Sequence, residues 1–502
     1  MSGADRAGKV LSHNDILPEM SNKPWRSKNM KKRLIRSLAL FAVLSMLIAA
    51  CGGGDGGTAT TTGDGADATE AADTTAGGET TDTTAAGTTM APGTTMAPGT
   101  TAVDGTTAPA GELGSVTIAD GEAIQIRSIQ AISGDTATLG LPNQNATELA
   151  IADYGPIQGH EVSMGTGLDG LCSAEGGQSA VQSVVSDQQV LGVIGTSCSG
   201  SGVATSPLIS DAGMVMVSPS NTSPSLTSDL EGTAGTDYYP GYYRTAHNDL
   251  FQGQAVADYV YNDLGMTTAG TIHDGDPYTQ GLTTAFGDAF EELGGTVSVA
   301  TAVNKGDTDM SGVLSEVAAG APEAVYFPIF PPEGNFIAQQ IGGVAGLEEV
   351  QGIGADGLLV ANFLEIPESE GMYFSGPSLQ FEGNENEITG VSANDFLTAY
   401  EEAYGEAPTA AFWAHAYDGT ILLLDAINDV AVDNGDGSLT VDRQALRDRM
   451  NETEFQGMIG AISCDDFGDC GAQEIQIVHH TDSSVTDSTE MEVVFTFKGE
   501  TG

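Results

Sequence analysis

The chain has 502 residues, 40% of them hydrophobic, with 16 Lys and Arg against 69 Asp and Glu for a formal charge of −53. Residues 1–50 hold nine of the basic and three of the acidic residues, so the remainder carries 7 against 66, a formal charge of −59. A field of that sign repels phosphate backbones and excludes a role in binding DNA or RNA; it reads as a solvated surface suited to salty surroundings, where screening weakens self-repulsion.

The basic cluster Lys31, Lys32, Arg33 and Arg36 precedes an apolar run, 38–50, that ends in Ala49 and Ala50 just before Cys51. A charged start, an apolar stretch too short to span a bilayer and small residues at a cleavage point describe an export signal over 1–50. Ile48-Ala49-Ala50-Cys51 resembles the lipobox of bacterial lipoproteins, which implies an acylated Cys51 and an extracytoplasmic protein held to a membrane by lipid. The plainer alternative is a secretory signal with an incidental cysteine. Residues 1–29 look foreign to such a signal, and Met30 is its more natural start. Residues 51–112 are almost entirely Thr, Gly, Ala, Asp and Pro, with Thr-Thr-Met-Ala-Pro-Gly at 88–93 repeated at 94–99; a stretch that cannot form a core is expected to be a disordered tether.

From 113 onward the pattern is globular, and its length is too great for one core, so two lobes are expected. Strands are predicted at 124–132, 190–194, 214–217, 269–273, 296–302, 324–329 and 372–375. Amphipathic helices are predicted at 178–188, 253–264, 279–293, 310–319 and 392–404. Such alternation argues for α/β lobes with parallel sheets covered on both faces. Beyond Cys51 the chain has Cys172, Cys198, Cys464 and Cys470. In an oxidising compartment an even number predicts two disulfides. Three pairings are open; spacing favours the local one, Cys172–Cys198 with Cys464–Cys470. Zinc is the competing use, but no C-x-x-C or histidine cluster accompanies these cysteines.

Four stretches fall where strands end and helices begin, the place where open α/β sheets bind ligands: 132–137, 193–200, 215–224 and 273–281. Ser199 and Thr222 stand where a hydroxyl and a helix N-terminus could take a carboxylate, although simple N-capping explains each of them alone.

Taken together these stretches resemble the Leu/Ile/Val-type branch of periplasmic substrate-binding proteins that serve ATP-driven (ABC) importers. The resemblance covers about 124–465. It rests on Ser133-Gly134, the Cys172/Cys198 spacing, Ser218-Pro219-Ser220-Asn221-Thr222, Thr308-Asp309-Met310-Ser311 followed by 322–326, and Ala416-Tyr417-Asp418. It implies a type I periplasmic binding fold: two Rossmann-like lobes, 113–243 with 382–454 and 244–381 with 455–502, joined by a three-strand hinge and closing like a flytrap. It further implies that Ser199 and Thr222 receive an α-carboxylate, that Ser220 adds a backbone contact, that Tyr278 closes over the ligand, and that Asp356 pairs an α-ammonium. The residue-level alternative for Asp356 is a turn, since Asp-Gly is common there. Phe330 stands where amino-acid binders of this family tend to have tyrosine, and Leu139 where they have an aromatic residue; both departures leave the ligand open between a branched-chain amino acid and an amide or other small polar solute. Neither metal nor cofactor is expected.

Three other motifs do not hold up. Gly352-Ile353-Gly354-Ala355-Asp356-Gly357 spells a dinucleotide fingerprint, but comes late and puts an acid where a pyrophosphate would lie. Gly195-Thr196-Ser197-Cys198-Ser199 lacks the second glycine of a nucleophile elbow. Residues 433–437 hint at a calcium loop, but Val432 and Arg443 fill its acidic places, so the segment reads as a helix–helix turn. The expectation is a lipid-anchored solute-binding protein, not an enzyme, that delivers its ligand to ABC permease subunits. A sensor feeding a membrane signalling protein, or an exported hydrolase, are the alternatives.

Overall fold

A computed structural model describes residues 111–381 and 383–499. The expected signal, Cys51 and nearly all of the tether lie outside the described residues.

Two sheets organise the chain. In the first, Val162–Ser163, Ile124–Gln130, Val190–Gly195, Val215–Ser218 and Tyr242–Arg244 lie side by side in that order and all parallel, with Leu168–Asp169 pairing further along Ile124–Gln130. Val190–Gly195 and Val215–Ser218 are buried at every residue, as strands covered on both faces must be. In the second, the order is Glu492–Lys498, Glu474–His479, Tyr373–Pro377, Gln351–Gly354, Ala324–Tyr326, Thr268–His273, Thr296–Ala302. The last five of these run parallel, and the two at the opposite edge pair antiparallel. Three segments join the halves: 245–248, 378–384 and 464–473. Arg244, the strand residue just before the first of these connections, and Asp469, on the third, sit side by side in a parallel bridge.

Helix starts follow local chemistry. The side chains of Asn248, Asp276, Ser392 and Asp442 accept from the N–H of Leu250, Tyr278, Asp395 and Ala445, each satisfying a donor that the first helical turn leaves orphaned. Helix Trp413–Val430 is the most apolar of the first lobe. It runs under the first sheet, where Trp413 stacks on Phe396 with ring centres 4.8 Å apart. In the second lobe, Asp249–Asp258 crosses Pro277–Glu292 closely at Gly253, where a Cβ would come within 2.6 Å of the Phe286 nitrogen.

All seven predicted strands and all five predicted helices are present, with ends shifted by a few residues. Two disulfides, Cys172–Cys198 and Cys464–Cys470, use the local pairing. One reading is corrected. Residues 433–437 are not a helix–helix turn but part of a β-hairpin, Val432–Asp433 with Leu439–Asp442, whose second strand also pairs with Ser115–Ile118. Those partners lie more than 300 residues apart in sequence, so no local pattern reveals the pairing.

Candidate functional site

The ends of the parallel strands from both sheets converge on a closed cleft. From the first lobe come Leu139 near the start of helix Ala137–Tyr154, Ser199 at the first position of helix Ser199–Asp211, and the loop carrying Ser220 and Thr222. From the second come Tyr278 at the start of helix Pro277–Glu292, Phe330 after Ala324–Tyr326, and Asp356 in the turn after Gln351–Gly354. All seven are buried. Leu139 and the Cys172–Cys198 pair share one apolar cluster with Tyr278 and Phe330, whose rings lie 5.2 Å apart.

Hydrogen bonds run around the cleft as a ring. Ser223 N–H donates to Ser199 Oγ at 3.3 Å. Beside Ser199, the N–H of Gly200 donates across the cleft to Asp276 at 3.3 Å. Two residues beyond Asp276, the hydroxyl of Tyr278 donates to Asp356 Oδ1 at 3.1 Å, and Gln252 Nε2 donates to the same oxygen at 2.7 Å. The helix bearing Gln252 also carries Asp249, whose N–H donates to the Thr222 carbonyl at 3.0 Å. Thr138 with Asn362, and Asn362 with the Asp135 carbonyl, add two more bonds between the lobes at 3.2 and 3.0 Å.

Within this ring the polar groups are unevenly satisfied. Ser220 is engaged inside its own lobe: its N–H donates to Ser218 Oγ and its hydroxyl to the Ser197 carbonyl. The Thr222 hydroxyl and both carboxylate oxygens of Asp249 are buried without a hydrogen-bond partner. The Thr222 hydroxyl lies near enough to Asp249 to restrain its pKa. Burial raises the Asp249 carboxyl well above the ordinary value, and the charge of Asp356 raises it further. Burial pushes Asp356 up to about 6, against the opposing hydrogen bonds from Gln252 and Tyr278. Asp276 is raised by burial and restrained by Lys305, whose Nζ lies 3.2 Å away. Among the described residues neither Asp249 nor Asp356 stands in an ion pair, only Asp249 being steadied by the charge of Arg244, and two such desolvated acids favour a positively charged group between them.

Sequence reasoning missed Asp249, Gln252 and the cross-cleft role of Asp276. Asp249 and Gln252 follow the three-residue strand Tyr242–Arg244, too short to show a periodic pattern; had it been recognised, the rule that ligands meet strand C-termini would have pointed to them. Asp356 does begin a turn, as its Asp-Gly context suggested, but its side chain points inward and is only 4% exposed.

Two α/β lobes around parallel sheets, joined by three connections and closed over a polar cleft, define a bilobed solute-binding fold. The periplasmic binding protein family profile matches residues 123–476, and the chain belongs to that family. It is 26% identical over 369 residues to the Leu/Ile/Val-binding protein homolog 3 of Brucella melitensis, covering 72% of this chain and 92% of that one. It is 27% identical to the Leu/Ile/Val-binding protein of Escherichia coli K12, covering 49% of this chain and 70% of that one. A crystal structure of a leucine binding protein from Thermotoga maritima superimposes with a TM-score of 0.62 at 25% identity, covering 75% of this chain and 99% of that chain. These relatives are binding proteins, and the chain is a binding protein rather than an enzyme.

Proposed function

We propose that the protein captures a branched-chain amino acid between its lobes and hands it to an ABC permease, working outside the cytoplasm on a lipid anchor at Cys51. The lobes would be 113–243 with 382–463 and 244–381 with 464–502, the boundary expected at 454 moving because the hairpin Glu454–Gly457 with Gly460–Ser463 packs in the first lobe's core. Ser199 and Thr222 would meet the α-carboxylate and Asp356, assisted by Asp249, the α-ammonium, while Tyr278, Phe330 and Leu139 enclose the side chain. Ser220 would act by shaping its loop, its own N–H being engaged by Ser218.

One observation carries the reading. The unpartnered Thr222 hydroxyl and the unpartnered Asp249 carboxylate meet at the junction of the lobes, where a zwitterion would satisfy both at once. A ligand that contacts both lobes only in the shut form favours closure. Titration calorimetry with L-leucine, L-isoleucine and L-valine tests it. Binding of at least one is expected, weakened more than about tenfold in Asp356→Ala because a buried ammonium is left unpaired. No heat with any of the three, or an unchanged affinity in the variant, overturns the assignment.

A further inference from the structure

Arg244 ends the strand Tyr242–Arg244 and is wholly buried. Its Nε donates to Asp469. Its Nη1 donates to the carbonyls of Asn221 at 3.1 Å and Ser223 at 2.8 Å, and its Nη2 to Thr227 Oγ1 at 2.7 Å. The two carbonyls flank Thr222, whose own carbonyl receives the Asp249 N–H. The backbone on both sides of Thr222 is therefore held from behind by one guanidinium. Only a planar fork of donors reaches two carbonyls, a carboxylate and a hydroxyl together; an ammonium on a flexible stem does not.

What holds Arg244 is built as closely. Asp469 N–H donates to Asp465 Oδ1 at 2.9 Å, and its Oδ2 accepts from Asn248 Nδ2 at 3.3 Å. Arg244 N–H donates to the Gly468 carbonyl at 2.8 Å, and Cys470 N–H to the Arg244 carbonyl at 2.9 Å. The disulfide from Cys464 to Cys470, six positions apart, closes the loop that presents Asp469.

We infer that Arg244 is a positioning residue for ligand capture, and that Asp469 and the Cys464–Cys470 bridge, outside the cleft, act through it to set the loop that carries Thr222. This rests on the reading of Thr222 as a ligand contact. Loss of the bridge frees the 464–470 loop, Asp469 loses its fixed place, and the carbonyls around Thr222 become free to rotate.

The test uses the full chain with Asp469→Asn, the double variant Cys464→Ser/Cys470→Ser, and Arg244→Lys, beside Thr222→Val. Each is measured by thermal unfolding, by hydrogen exchange at the Ser223 and Asp249 amides without ligand, and by calorimetry with L-leucine. Should the buried Arg244→Lys variant fail to fold, Asp469→Asn and the cysteine pair, of which Cys464 is half-buried and Cys470 buried, keep the test decisive. In the clamp variants that remain folded, exchange at these two amides is expected to quicken by about tenfold or more, as for a locally opened segment, and L-leucine binding to weaken at least about tenfold, as in Thr222→Val. A merely structural role would lower the melting temperature but leave both readouts of the folded protein unchanged, and that result overturns the inference. So does quickened exchange with unaltered L-leucine affinity while Thr222→Val weakens it. If Thr222→Val itself leaves L-leucine binding intact, the site assignment falls, and exchange at the two amides alone decides whether the clamp holds the loop.

Discussion

The affinity for L-leucine should depend on pH through Asp356. Its carboxyl is raised from 3.8 to about 6, chiefly by burial, so the fold prefers it protonated. A rise of about two units corresponds to roughly 3 kcal/mol at about 1.4 kcal/mol per unit. In the shut form without ligand this is stability fully present below the ordinary carboxyl value and lost as pH rises through about 6. A bound ammonium reverses the preference, because it favours the ionised carboxylate. Below pH 6 the ligand must displace a proton, and the dissociation constant should rise about tenfold per unit, roughly a hundredfold between pH 6 and pH 4. The ligand's own ammonium stays charged over this range. The groups that share the site are Asp249, itself raised by burial and by Asp356, Asp276 with its Lys305 partner, Tyr278, and Arg244, which is engaged by Asp469. Since Asp249 and Asp356 influence each other, the observed midpoint belongs to the pair. Calorimetry in buffers of different ionisation enthalpy would count close to one proton released per leucine below pH 6 and fewer above it. An affinity that is flat from pH 7 to pH 4, or an Asp356→Asn variant that keeps the wild-type slope, refutes the reasoning.

Other outcomes follow from the same geometry. Thr222→Val removes a buried hydroxyl with no hydrogen bond in place, whose neighbour is the Asp249 carboxyl it restrains; the ligand-free protein should melt within the equivalent of about 1 kcal/mol of the wild type, while binding L-leucine at least about tenfold more weakly. Gly200→Ala would put a Cβ 2.4 Å from Asp276 Oδ2, so small-angle scattering should show no compaction on adding L-leucine while the melting temperature stays near that of the wild type. Asp418 is buried, accepts from Asn386 Nδ2 at 2.8 Å and from the Ile459 N–H at 2.9 Å, and ties helix Trp413–Val430 to two hairpins; Asp418→Ala should cost about 3 kcal/mol in urea unfolding. Removing the Cys172–Cys198 bridge, which spans 26 positions, should cost about 3.5 kcal/mol on chain-entropy grounds, also read in urea.

The fold was largely legible because its signals are local. Val190–Gly195 and Val215–Ser218 are apolar runs bounded by Gly and Ser, and helix Ala393–Tyr404 opens on a capping serine. What escaped notice was short or paired at long range. Tyr242–Arg244 has three residues, Gln351–Gly354 hides in a glycine-rich motif, and the hairpin at 432–442 finds its third strand at Ser115–Ile118.

By itself the sequence determined the alternation of strands and helices, the α/β class and the loops at strand ends, since periodicity, capping and spacing are written residue by residue. Only the tertiary structure decided which acids are desolvated. Asp249 and Asp356, 107 positions apart, share one site because the helix of Asp249 packs on the sheet whose turn carries Asp356, Gln252 bonding both Asp356 and Ser375, and the burial that raises their pKa values is a property of the assembled site, not of the residues flanking either one. The same holds for Arg244, whose role is fixed by Asn221, Ser223, Thr227 and Asp469 meeting at one guanidinium.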